Sequence, residues 1–100
     1  MTDSAQAELE SWRRWVAEIE DHPLDRFEYE ALLASRDGLA WCIEVRGAES
    51  LRDQADEPDT RFMAVTVEVD DSEYAGLEQQ WWRRRLPARD EFRRYLAGDY

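Results

Sequence analysis

The residues able to do chemistry in this sequence are few, and their spacing decides which chemistry they can support. The chain holds one histidine, His22, one cysteine, Cys42, and no serine framed by glycines in a nucleophile elbow, so neither an acid-base pair nor an activated nucleophile can be read from it. His22 immediately precedes Pro23 at the end of a helical pattern, where an imidazole serves as a partner for the helix dipole. Cys42 sits close to Glu44, in surroundings that disfavour a reactive thiolate, and its expected role is packing. The sequence therefore predicts no catalytic residue and no cofactor.

Carboxylates are the abundant functional groups. Asp53, Asp56, Glu57 and Asp59 form one cluster, and Asp70, Asp71 and Glu73 form a second. Neither follows the calcium-loop pattern of alternating acids, a glycine and a closing glutamate, so no metal site is expected. The second cluster reads as helix caps. The first reads as solvated carboxylates on a flexible connection, available to meet an arginine-rich surface.

Trp81-Trp82-Arg83-Arg84-Arg85 is the strongest single feature. Indole faces stack on bases and guanidinium groups meet phosphates, which makes Trp82, Arg83, Arg84, Arg85, Arg89 and Arg93 an alternative, basic face. Against that use stands a net charge of -11, whose long-range field repels nucleic acid. The same arginines can instead cover the acidic body of their own molecule.

The elements that must position these groups follow from periodicity. Ala5, Leu9, Trp12, Val16 and Ile19 recur at helical spacing, predicting a helix from about Ser4 to Asp21, opened by an Asp3 and Gln6 capping box and closed before Pro23. Glu10, Arg14 and Glu18 are expected to pair along its outer face. For residues 26–46 register favours a hairpin turning at Arg36, Asp37 and Gly38, because Tyr29, Ala31 and Leu33 then face Val45, Ile43 and Trp41 on one apolar side. Glu28, Glu30 and Glu44 fall on the other. A helix capped by Asp25 with Glu28 and stopped by Gly38 is the competing reading. Residues 47–60, acid-rich and containing Pro58, read as a long connection with at most one helical turn near Leu51.

Residues 62–69 alternate as a central strand with both faces apolar. A helix follows with Tyr74, Leu77 and Trp81 buried, and a last helix over about 88–97 ends at Gly98. The predicted fold class is α+β, a three-stranded antiparallel sheet covered on one face by helices in the order α-β-β-β-α-α. Double-stranded RNA-binding domains share much of that order. They carry lysines where this chain has Asp70, Asp71 and Glu73, so topology alone carries no function.

One hundred residues make a single domain. Leu, Ile, Val and Phe together number only nineteen, but five Trp and four Tyr supply the missing apolar area. All thirteen basic residues are arginine, a mark of a GC-rich genome or a salt-adapted proteome. The lone cysteine excludes an internal disulfide, and the absence of a long apolar run predicts a cytoplasmic protein.

The expected function is a non-enzymatic acidic binding protein. Its partner would be a basic, nucleic-acid-binding protein such as a nuclease, met through Glu28, Glu30, Glu44, Asp53, Asp56, Glu57 and Asp59. The alternative is a self-associating component whose basic C-terminal element docks on a neighbour.

Overall fold

The structure, a computed structural model, describes residues 4–98. It is mostly helical, with four α-helices and one two-stranded antiparallel sheet. The expected three-stranded α+β sheet is therefore corrected. The order is α1 (Ser4–Asp21), α2 (Arg26–Glu44), α3 (Ser50–Ala64), β1 (Thr66–Glu68), a 3₁₀ turn (Trp81–Arg84), β2 (Arg85–Pro87) and α4 (Asp90–Ala97).

Helix α1 has the expected bounds and buries Ala5, Leu9, Trp12, Val16 and Ile19. Its proposed cap residue, Asp3, lies outside the described residues. On its outer face Glu10 bonds Arg13 rather than Arg14.

The hairpin at 26–46 is a helix instead, with the capping box of Asp25 and Glu28 formed in both directions. The physical reason is burial. Tyr29, Leu32, Leu33, Arg36, Leu39 and Ile43 lie inside, a helical spacing, whereas period two requires Ala31 buried and Leu32 outside, and Ala31 is exposed. Gly38 is no turn. It lies where α1 and α2 pass closely, with the Glu8 carboxylate over its Cα, and Ser11 and Ser35 share a 2.8 Å hydrogen bond across the same antiparallel pair. The chain leaves α2 at Gly47, whose φ of 75° only glycine adopts freely.

The connection expected at 47–60 is also helical. Leu51, Ala55, Pro58, Asp59 and Phe62 make the inner stripe of α3, packed on α1 through the Trp12 and Phe62 rings at 5.1 Å. Pro58 removes one backbone donor from the helix interior, yet it is fully buried, so the stripe packs in spite of the missing bond.

The central strand predicted over 62–69 shrinks to β1, because Phe62 to Ala64 finish α3. β1 pairs with β2 in the register Thr66 to Pro87, Val67 to Leu86 and Glu68 to Arg85. Met63 and Val67 are exposed, so this is no double-sided core strand. The helix expected after Asp70 is replaced by turns and the 3₁₀ segment. Tyr74 is buried as expected and Trp81 partly so, but Leu77 is exposed. Helix α4 is present, buries Phe92 and Leu96, and ends on Gly98 in the left-handed region. Among the described residues no helix is long and apolar enough to cross a membrane.

Candidate functional site

The site is built on α2. Its capping box fixes where the helix begins, and the helical pitch then aligns Asp37, Trp41 and Val45 at i, i+4 and i+8 along one outer row. Opposite this row runs the chain from Leu77 into the 3₁₀ turn, which drives the Trp82 indole against α2.

A chain of charged and aromatic groups locks that arrangement. The Trp12 Nε1–H donates to Asp59 Oδ1 at 2.9 Å. Arg36 donates to both oxygens of the same carboxylate, at 2.9 and 3.1 Å. Its guanidinium lies over the Trp82 ring, 4.4 Å from the centroid, and Trp82 Nε1–H donates to Asp37 at 2.7 Å. Arg83 then grips Asp37 with Nε and Nη2 and reaches Glu30 at 3.1 Å. The hydrogen bond that Arg83 donates to Asp37, more than the one it donates to Glu30, holds its pKa above the ordinary value. One network thus joins α1, α2, α3 and the 3₁₀ turn, and it fixes the wall of the surface beside it.

That surface carries two adjoining grooves, of about 450 and 360 Å³. The first is lined by Trp41, Val45, Leu77 and Trp82 with Glu44, and also by Gly38 and Ala40. The second is lined by Trp81, Ile43, Ala55 and Asp56, with the ion-paired Arg36, Asp59 and Arg52. Ala40, Glu44, Gln79 and Trp82 border both, so the two are one continuous trough with Glu44 at its middle.

The carboxylates singled out from sequence separate into two groups. Glu44, Asp53 and Asp56 face solvent without a salt bridge among the described residues, and Glu44 and Asp56 line the trough. The other four are engaged within the molecule. Glu28 completes the capping box, Glu30 holds Arg83, Glu57 holds Arg61 at 3.2 Å, and Asp59 is buried on Arg36 and Trp12. Glu28, Glu30 and Glu44 do not share the outer face of a hairpin, because no hairpin exists here.

Three of the basic residues, Arg83, Arg84 and Arg85, are engaged as well. Trp82 is buried, Arg83 is ion-paired, and Arg84 donates to the Glu78 carbonyl. Arg85 donates to Thr66 Oγ1 and to backbone carbonyls of Thr66 and Met63. Arg89 lies over Phe92 at 5.0 Å, and Arg93 is half-buried on α4.

His22 is exposed at the end of α1, whereas Cys42 is buried within α2. The fold does not bring them together with the acids of α3. Among the described residues no group of three or more His, Cys, Asp or Glu is placed to hold a metal ion.

Sequence reasoning placed Trp41 inside a hairpin and Leu77 inside a helix, and so missed the trough they line. The signal was present in the spacing of Asp37, Trp41 and Val45, which is a helical row once the capping box is given precedence. Searches against protein-family models, curated proteins and solved structures return no match for this chain.

Proposed function

We propose that this chain is a non-enzymatic binding protein whose carboxylate surface occupies the basic, nucleic-acid-binding surface of a protein partner. Such a role belongs to inhibitors of the immunity, antitoxin or phage anti-defence kind, which offer a charge imitation of DNA. The observation that carries this reading is the asymmetry in how the two charge signs are used. Arg13, Arg26, Arg36, Arg52, Arg61, Arg83 and Arg94 all pair with carboxylates of their own chain. Arg84 and Arg85 are spent on hydroxyl and carbonyl oxygens. Among the described residues, carboxylates such as Glu18, Glu44, Asp53, Asp56, Asp70 and Asp71 are exposed and make no salt bridge, whereas on the basic side only Arg14, Arg46, Arg89 and the half-buried Arg93 remain.

Most of its cations are thus neutralised by its own acids, some at the surface as with Arg26, Arg52 and Arg94. Arg14, Arg46 and Arg89 stay exposed, and the surplus of charge left on display is negative. A field of that sign accelerates encounter with a basic partner and rejects nucleic acid itself. A cytoplasmic setting accords with the unpaired, buried Cys42.

The self-associating alternative asks the basic C-terminal segment to reach a neighbour. It has less to draw on, because Arg83, Arg84 and Arg85 already bond groups of their own chain.

Affinity capture from a lysate of the source cells, at low and high salt and after nuclease treatment, tests the proposal. The expected result is a basic protein held at low salt, released at high salt, and prevented from binding DNA when this chain is added. Combined reversal of Glu44, Asp53 and Asp56 to arginine is expected to abolish that capture. Capture unaffected by the reversal, or a partner that binds DNA equally well in the chain's presence, overturns it.

A further inference from the structure

We infer that the trough between α2 and the 77–82 turn seats an amphipathic segment of the partner that carries arginine or lysine beside aliphatic side chains. This rests on the acidic-binding reading above and names the place where affinity, as distinct from long-range attraction, is generated.

Three apolar side chains converge there while remaining open to solvent. Trp41 is 53% exposed, Val45 66% and Leu77 61%, and all three border one groove. A single exposed apolar residue is ordinary on a protein surface, but a convergent set rimmed by polar groups marks a docking site.

Charge selects the occupant. Glu44 stands at the junction of the two grooves and Asp56 farther along, neither in a salt bridge among the described residues. Of the cations at the trough, Arg36 is paired with Asp59 and Arg52 with Glu49, and Arg46 lies at its edge beside Trp41. What the trough offers an incoming chain is apolar wall beside exposed carboxylates that form no salt bridge among the described residues, the two requirements of a side chain with a methylene stem and a cationic head.

The indoles serve an incoming segment as apolar wall, since each already lies beside a guanidinium of its own molecule. Arg46 lies 5.8 Å from the Trp41 centroid and Arg36 4.4 Å from that of Trp82. The Asp37 network behind Trp82 fixes the wall before anything binds, so little ordering is required on docking.

The test uses the whole chain and two synthetic peptides of equal positive charge. One has leucines at helical spacing beside its arginines, and the other has serine in place of every leucine. Binding is followed by calorimetry and by the Nε1–H resonance of Trp41, identified by its loss in Trp41→Ala. The leucine peptide is expected to bind about tenfold or more tighter than the serine peptide and to shift the Trp41 resonance.

Trp41→Ala and Leu77→Ser should remove that advantage, bringing the leucine peptide's affinity down to that of the serine peptide. Both positions are exposed, so these variants are expected to keep the wild-type circular dichroism. Glu44→Gln should weaken both peptides. Equal affinity for the two peptides, or an advantage that survives Trp41→Ala, overturns the trough as the seat. In that case salt-dependent binding of the serine peptide keeps the acidic-surface reading intact, whereas failure of both peptides to bind counts against both.

Discussion

Replacing Asp59 by asparagine tests whether the network of Trp12, Asp59, Arg36 and Trp82 holds the helices together. The carboxylate is 8% exposed as a residue and accepts three hydrogen bonds, one from Trp12 and two from Arg36. Asparagine retains one acceptor oxygen for Trp12 Nε1–H and Arg36 Nε–H. Its amide nitrogen, however, meets Arg36 Nη2 donor to donor, and a buried guanidinium loses its counter-charge. Breaking a buried pair from one side costs about 3–5 kcal/mol. The surviving hydrogen bonds place Asp59→Asn at the lower end, about 3 kcal/mol, or a fall in Tm of roughly 12–24 °C for a domain of this size.

The double variant Arg36→Met with Asp59→Leu removes both charges and leaves one orphan, the Trp12 N–H, at about 1–3 kcal/mol. It should therefore be much more stable than the sum of the two single variants. Urea unfolding followed by tryptophan fluorescence gives all the free energies of the cycle. A loss below about 1 kcal/mol for Asp59→Asn, or strict additivity in the cycle, refutes the reasoning.

Two further outcomes are expected. The Tyr29 hydroxyl donates to the Arg85 carbonyl at 2.6 Å, and burial first, then Tyr74, holds its pKa above the ordinary value. The unfolded chain ionises near pH 10, so stability is complete below that pH and falls above it by about 1.4 kcal/mol per pH unit. Tyr29→Phe should cost about 1 kcal/mol at neutral pH and flatten the alkaline decline to that of Tyr74; urea midpoints measured on both sides of pH 10 that fall equally in wild type and variant contradict this.

Gly38→Ala discriminates helix from turn by its sign. Alanine in a helix interior gains about 0.8–1 kcal/mol over glycine. The obstacle is the carboxylate end of Glu8, 2.6 Å from the added Cβ, which makes no salt bridge and can swing away. A net stabilisation of about 0.5 kcal/mol is expected in thermal melts, whereas a left-handed turn glycine would be destabilised by the change.

Much of the first and last helices was legible because each carries its own signals. In α1 the apolar stripe is unbroken at helical spacing and Pro23 ends it, and α4 has a two-residue apolar stripe with Gly98 at its close. Both patterns are local, so no distant partner was needed to read them. In α2 the local signals conflicted. Alternating Tyr29, Ala31 and Leu33 imitated a strand, and Arg36-Asp37-Gly38 imitated a turn, although the Asp25 and Glu28 capping box was also in view. In α3 the acids and Pro58 imitated a loop, since Asp59 reads as solvated until Arg36 and Trp12 are placed against it.

The candidate site was legible in part: Glu44, Asp53 and Asp56 are exposed on the surface, while Glu28, Glu30, Glu57 and Asp59 are engaged by groups that are remote in sequence or one helical turn away. By itself the sequence determined the charge balance, the single-cysteine chemistry, the terminal helices and the lack of a motif for catalysis, all of which depend on composition or on neighbours within a few residues. The tertiary structure alone decided which charges are spent and which are displayed, because an arginine and an aspartate twenty-three positions apart neutralise each other only once two helices have packed.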